Sequence, residues 1–392
     1  MKKRTRVNHP REVPVPGDNR PLVAPIYQSV KFTFDSVAET RRYFGRQRDG
    51  FYYSRTANPT LRQLELLLAE LQGRDACLLT ASGVAAVAAP LLALLKAGDH
   101  VIHFAELYQP TRTIIGQMLA RFGVTSTLLS IDDLAGLERA LAAQPTRLVV
   151  FESPSNPVLK IADLQRITAL ARRHGALTLL DNTLAGLHQH GQFEVDIFVH
   201  SLTKYASGHG DVMGGAIIAR QQLIDAMRED VWTLGPTLDP HAAYLLLRGM
   251  KTYFLRRDAQ CAAAQRIAEF LSQHPRVARV RYPGLPTDPG HELARRQMSD
   301  FGSIVTLDVR GGIAQGDRFA ESLELFAIAA SLGSTESLVL PPGLLQPRSF
   351  TAEQRVWSDI GAGTVRLSVG IEDGDDLMAD LEQALAAGVP IE

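Results

Sequence analysis

The chain has 392 residues, 45% hydrophobic and 21% charged, the composition of a globular protein long enough to fill the cores of two domains. Its 41 lysines and arginines against 42 aspartates and glutamates leave a net charge of −1, with no basic stripe to hold nucleic acid. Two cysteines, Cys77 and Cys261, are too few for a disulfide framework or a zinc cluster and fit a reducing, cytoplasmic setting.

At the N-terminus Lys2, Lys3, Arg4 and Arg6 precede Asn8, Pro10, Glu12 and Pro14, where a secretory signal needs an apolar stretch. Residues 1–57 read as an arm, with Pro10, Pro14, Pro16 and Pro21, then aromatic Phe51, Tyr52 and Tyr53, and no sustained period. At Asn58 the pattern turns helical. Asn58 can cap, Pro59 suits a first turn, and Leu61, Leu64, Leu67, Leu68 and Leu71 recur at helical spacing. The longest apolar run, Val84 to Leu95, contains Pro90 and falls short of the roughly 20 residues that cross a bilayer. A core helix from about Gly83 is expected there, not a membrane segment.

Strands are predicted at 100–104, 125–129, 147–151, 176–180 and 196–199, separated by helices from about Thr111 and over 163–174. Short apolar strands alternating with amphipathic helices predict a parallel sheet covered on both faces, with chemistry at the strand C-termini. Beyond a helical region over 240–273, strands at 277–282, 303–309 and 365–369 alternate with helices at 313–326 and 373–387. This predicts a smaller α/β domain, with the boundary near residue 250.

No dehydrogenase glycine loop or phosphate-loop Gly-Lys-Ser/Thr occurs, and after His291-Glu292 the second histidine of a zinc-protease helix is replaced by Arg295 and Arg296, so no metal site is expected. Attention falls on the seven lysines, of which Lys204 stands apart. It follows the 196–199 strand, lies close to Ser201 and Thr203, and precedes the glycine-rich stretch 207–215. This position suits a Schiff base to an aldehyde cofactor whose phosphate the hydroxyls hold. Asp181 ends the preceding strand and can keep a pyridine nitrogen protonated. Ser82-Gly83 opens a helix whose free amides bind phosphate. Singly, Lys204 also reads as a lysine snorkelling at a strand end, Asp181 as a cap, and Ser82-Gly83 as a close-packed helix start.

These residues, with Pro25-Ile26-Tyr27-Gln28-Ser29, Tyr53-Ser54-Arg55, Asn58-Pro59-Thr60, Glu152-Ser153-Pro154-Ser155-Asn156-Pro157, Arg248-Gly249-Met250-Lys251-Thr252 and Val365-Arg366-Leu367-Ser368-Val369-Gly370, resemble the transsulfuration group of pyridoxal-phosphate enzymes over nearly the whole chain. That group comprises cystathionine γ-synthase, cystathionine β- and γ-lyases, methionine γ-lyase and homoserine-ester sulfhydrylases. The resemblance implies the type I, aspartate aminotransferase-like α/β fold: an arm (1–57), a pyridoxal-phosphate-binding domain with a large, mainly parallel sheet (58–250), and a small C-terminal domain (251–392). It makes Lys204 the cofactor lysine and proton carrier, and Asp181 the partner of the pyridine nitrogen. The Gly83 and Val84 amides, Ser201 and Thr203 become the phosphate cradle, and Tyr108 stacks on the ring and assists proton transfer. Tyr53 and Arg55 reach the phosphate of a neighbouring subunit, in a dimer that shares its sites and is expected to pair into a tetramer. Asn156, Ser331 and Arg366 hold the substrate, with Arg366 on the α-carboxylate through its planar fork.

Departures concern specificity. Gln109-Pro110 follows Tyr108 where two glycines are common, Val84 replaces a methionine, and Leu344-Leu345-Gln346-Pro347 replaces Met-Thr-His. Ala330 stands where a glutamate or tyrosine precedes the carboxylate-binding serine. The activity implied is a carbon–sulfur lyase acting on a sulfur amino acid such as cystathionine. γ-Replacement on an activated homoserine is the alternative, and a non-catalytic pyridoxal-phosphate binder a remote one.

Overall fold

The computed structural model describes residues 17–345 and 350–388; Pro10, Pro14 and Pro16 of the arm, and Gln346-Pro347, lie outside them. The helix expected after Asn58 runs over Pro59–Gln72. The Asn58 side chain accepts the Thr60 amide hydrogen at 2.9 Å, Leu61, Leu64 and Leu68 are buried, and Gly73 closes the helix at φ 65°. The chain then enters a seven-stranded sheet: β1 (Ala76–Thr80), β2 (His100–Phe104), β3 (Thr125–Leu129), β4 (Leu148–Glu152), β5 (Leu177–Asp181), β6 (Ile197–Ser201) and β7 (Gly215–Ala219). The spatial order is β1-β7-β6-β5-β4-β2-β3.

Five neighbouring strands, β3, β2, β4, β5 and β6, are parallel as expected, whereas β7 runs antiparallel to both β6 and β1. Strands β1 and β7 escape sequence reading. The first is a bare Ala-Cys-Leu-Leu-Thr between a helix end and a glycine turn, and the second starts inside the glycine-rich stretch. Apolar clusters cover both faces of the sheet, one including Leu64, Phe104, Phe151 and Phe198, the other Leu78, Val101, Val150 and Ile217. Because β1 and the five parallel strands point the same way, Thr80, Phe104, Glu152, Asp181 and Ser201 share one edge.

The helix expected from Thr111 is instead an α-turn Gln109–Thr113, with Pro110 in its first turn, that widens into a π-turn Ile114–Met118 and tightens into a 3₁₀ turn Leu119–Phe122. The region 240–273 is two helices, Pro240–Met250 and Tyr253–Ser272, broken at Lys251-Thr252. Past it lies a five-stranded sheet: β8 (Val277–Arg281), β9 (Ile304–Val309), β10 (Ala327–Ile328), β11 (Leu338–Leu340) and β12 (Thr364–Ser368), in the order β10-β11-β12-β9-β8. It has its own core, including Val305, Leu307, Val365, Leu367 and Leu381. The helix expected over 313–326 stops at Ser322, because the Asp380 carboxylate captures the Glu324 and Leu325 amides at 2.8 and 2.9 Å. Among the described residues no helix is long and apolar enough to cross a membrane.

The two sheets meet around Asp300. Its carboxylate takes Arg257 Nη2 at 2.6 Å and His188 Nε2 at 3.0 Å. Arg257 also donates to the Ala185 carbonyl at 2.8 Å and stacks over the Tyr205 ring at 4.6 Å. This pair, its guanidinium buried and its carboxylate partly so, clamps the loop after β5 and the residue beside Lys204 onto the long helix, and removing Asp300 would leave a buried charge without its partner.

Candidate active site

Asp181, the last residue of β5, bonds the Thr183 amide at 3.1 Å, and Thr183 Oγ1 accepts the Ser201 amide hydrogen at 2.8 Å. Thr183 thus ties the ends of β5 and β6 together, a role that sequence reading missed although it singled out Asp181 two residues earlier. Desolvation raises the Asp181 carboxyl above its ordinary value, against the Thr183 bonds and the charge of Lys204, which lower it. A cationic partner at that rim would draw it back to the ionised form.

Lys204 stands three residues past β6, and its Nζ donates to Ser331 Oγ at 2.8 Å. Desolvation and the charge of Arg366 hold its amine down to about 8, with Asp181 opposing. A free-amine fraction therefore exists at mildly alkaline pH, the form that attacks an aldehyde. Ser331 has φ 91°, a strained conformation for a residue with a side chain and the kind of outlier that gathers at functional sites.

Arg366, on β12, is 4% exposed. It donates from Nη1 to Asn156 Oδ1 at 3.0 Å and from Nη2 to the Ser331 carbonyl at 2.6 Å. Its Nε has no partner, and no carboxylate pairs with it among the described residues. Desolvation lowers it to about 10, with Tyr205 and Tyr108 close enough to raise it. A buried guanidinium bonded only to neutral oxygens is a site short of an anion. Thr306, beside Arg366 on β9, donates to the Pro157 carbonyl at 2.6 Å, so the smaller sheet carries the Asn156-Pro157 turn to the larger one.

The helix Gly83–Leu94 begins at Ser82, whose Oγ accepts the Ala85 amide hydrogen at 3.2 Å. The first-turn amides of Gly83 and Val84 have no intrahelical partner. An added Cβ on Gly83 would lie 2.5 Å from the Ser201 Cβ, so glycine is what lets this helix end approach Ser201. Val84 leaves its side chain 40% exposed and is needed only for its amide. Thr203 is engaged otherwise: its hydroxyl accepts the Gly214 amide hydrogen at 3.2 Å. Tyr108 is half exposed and its amide donates to Glu152 Oε2 at 2.9 Å. The free amides, the Ser201 hydroxyl, the Asp181 carboxyl and the Lys204 amine together fit a phosphorylated pyridine aldehyde. Gly83→Ala is expected to weaken pyridoxal-phosphate binding about tenfold or more, since overpacking of this kind costs about 1–3 kcal/mol; titration of the apoprotein checks it.

Within one chain Tyr53 and Arg55 stay apart from this cluster. Both are exposed on the arm, where the Arg55 guanidinium lies 5.7 Å from the Tyr53 ring centre and donates to the Trp232 carbonyl at 2.9 Å. Ala330 is exposed beside Ser331 and brings no charge. No group of three or more histidine, cysteine or acidic side chains suited to a metal occurs among the described residues.

Residues 9–386 match the family described as Cys/Met metabolism PLP-dependent enzyme. L-methionine gamma-lyase of Pseudomonas putida is 43% identical over 372 residues, covering 93% of each chain. Cystathionine gamma-lyase of Lactobacillus plantarum, solved with L-serine, superposes with a TM-score of 0.86 at 35% identity over 93% of each chain. A Campylobacter jejuni chain solved with N'-pyridoxyl-lysine-5'-monophosphate superposes with a TM-score of 0.88 at 31% identity, over 94% of this chain and 96% of that one. Sequence, fold and a rim built for a phosphorylated aldehyde agree, and the chain belongs to the Cys/Met metabolism PLP-dependent enzyme family.

Proposed function

We propose that the protein is a carbon–sulfur lyase that cleaves a sulfur amino acid, cystathionine or methionine, by β- or γ-elimination to a thiol, an oxo acid and ammonia. The observation that carries this reading is the link Lys204–Ser331–Arg366. An amine that exchanges with a substrate amine and a guanidinium that takes a carboxylate share one residue, the spacing an α-amino acid needs. The 43% identity to L-methionine gamma-lyase favours elimination over replacement.

When bound, pyridoxal phosphate supplies an aldehyde that condenses with amines and a ring that withdraws electrons from the substrate α-carbon. Lys204 would hold the cofactor, give way to the substrate amine, and then carry the α-proton with its Nζ. Asp181 would pair with the ring nitrogen, the Gly83 and Val84 amides and Ser201 would take the phosphate, and Tyr108 would lie on the ring and hand a proton to the departing thiolate. Arg366 and Asn156 would fix the α-carboxylate. Thr203, whose hydroxyl oxygen accepts the Gly214 amide hydrogen, would donate its own hydrogen to the phosphate.

We assign Tyr53 and Arg55 to the phosphate of a second subunit, in a dimer with shared sites that pairs into a tetramer. Mixing Arg55→Ala with Lys204→Ala subunits is then expected to restore activity, because one hybrid site regains both groups. If subunits exchange and no activity returns, Arg55 acts within its own chain. The division at 57 and 250 into arm, cofactor domain and small domain belongs to the same reading.

Ala330 leaves no charge for a distal amine, so cystathionine and simpler thioethers should differ by no more than about tenfold in kcat/KM, one charged contact in a wet pocket being worth about 1–2 kcal/mol. Ala330→Glu is expected to shift preference toward cystathionine. A substrate panel scoring ammonia, oxo acid and thiol tests the whole reading. Equal yields of the three from a single sulfur amino acid support the lyase. Turnover only with an activated homoserine and a thiol, without ammonia, would replace it with γ-replacement.

A further inference from the structure

Glu152 ends β4 at 4% exposure, and the reaction above gives it no task. In register it stands directly beside Asp181 of β5, so the two carboxyls leave the sheet at one level and toward one face. Its Oε2 accepts the Tyr108 amide hydrogen at 2.9 Å, and the Asn156 amide lies near enough to the same carboxyl to favour its charged form. Two turns from distant parts of the sequence, each carrying a residue of the proposed site, thus converge on one buried side chain.

Its charge state follows from its neighbours. Desolvation and then the Asp181 charge push the Glu152 carboxyl well above the usual range, while the two amides and Arg112 oppose them. Arg112 is occupied with the Ala105 and Leu107 carbonyls and does not bond Glu152. Two ionised carboxylates side by side in a dry site repel, and the environment that separates them leaves the charge to the one facing a cation. A neutral Glu152 still offers a carbonyl oxygen to Tyr108.

We propose that Glu152 is a positioning residue, which pins the Tyr108 and Asn156 turns to the Asp181 end of the sheet and so holds Tyr108 at the cofactor. The inference rests on the site reading above, which the Lys204→Ala variant tests separately. A merely structural glutamate would lower stability without altering cofactor affinity, and a working anion would not tolerate an amide.

The test compares Glu152→Ala and Glu152→Gln, alone and with Tyr108→Ala, reading pyridoxal-phosphate affinity, kcat, KM and the urea midpoint. Glu152→Ala is expected to weaken cofactor binding about tenfold and to lower kcat about 30-fold with KM within about threefold, because a misplaced group costs rate more than binding. Glu152→Gln, neutral and still accepting the Tyr108 amide, should return both to within about threefold of the wild type. In the Tyr108→Ala background Glu152→Ala should cost less than about threefold, since no ring remains to be placed. Should Glu152→Ala not fold, Glu152→Leu, close to it in volume, takes its place with the same expectations. Wild-type cofactor affinity in Glu152→Ala, equal impairment of the Gln and Ala variants, or the full loss persisting without the Tyr108 ring would each overturn the proposal. If borohydride still fixed a pyridoxyl group on the Lys204→Ala protein, the site reading itself would fall.

Discussion

Lys204→Ala protein is expected to form no Schiff base with pyridoxal phosphate, and so to lack the absorption band of that linkage, and to lose at least about 10³-fold in kcat/KM, the scale of a missing proton-transfer group. Lys204 is the amine bonded to Ser331 at 2.8 Å, and Asp181 and Arg366 both act on its charge. Its amine is already lowered to about 8, so it is ready to attack an aldehyde, and no other lysine among the described residues has this setting. Lys160, the other partly buried one among them, is spent on Glu106 at 3.0 Å, on Asp132 and on the Trp357 carbonyl. Removing the Lys204 cation also relieves its repulsion with Arg366, so the variant should melt no lower than the wild-type apoprotein. A stable, inactive variant without the Schiff-base band assigns the loss to chemistry. Unchanged turnover would remove Lys204 from the mechanism.

Arg366→Ala should raise KM about 10²–10³-fold for every amino-acid substrate, because a bidentate carboxylate contact consists of two charge-assisted hydrogen bonds worth about 1.5–3 kcal/mol each. Arg366→Lys should recover less than about tenfold of this, since a point charge cannot form the fork. Without ligand the outcome should be different. The guanidinium is buried with no anion beside it, so its loss should leave the apoprotein melting temperature unchanged or higher. A collapse in stability with little change in KM would make Arg366 a strut between Asn156 and Ser331, not a substrate clamp.

The strand ends that carry Asp181 and Lys204 were legible because a buried parallel strand announces itself as a short apolar run, and a polar residue at its end is conspicuous. The helix starts at Asn58 and Ser82 were legible through their caps. Strand β7 was not, because its glycine-rich lead-in hides its first residue and its reversed direction follows from pairing between β6 and β1, which no local pattern encodes. Glu152 lay in a quoted motif and Thr183 close to Asp181, yet their work lies in bonds to Tyr108 and Ser201, contacts made only after the sheet has formed. The Asp300–Arg257–His188 cluster lay further out of reach, since its members come from three separated segments. The resemblance supplied roles for Ser331 and Arg366; the structure adds that they touch, and that Lys204 and Arg366 share Ser331. For Thr203 it adds a hydrogen bond accepted from the Gly214 amide that sequence could not reveal.

The proposed function requires the cofactor to be held covalently by Lys204 at the rim between β5 and β6. Borohydride reduction of the holoenzyme, followed by peptide mass spectrometry, tests it most directly, because reduction makes a reversible Schiff base permanent. The expected result is a single pyridoxyl group on the peptide that contains Ser201, Thr203 and Lys204. A label on any of the other six lysines, or no label on protein that is yellow before reduction, would contradict the account.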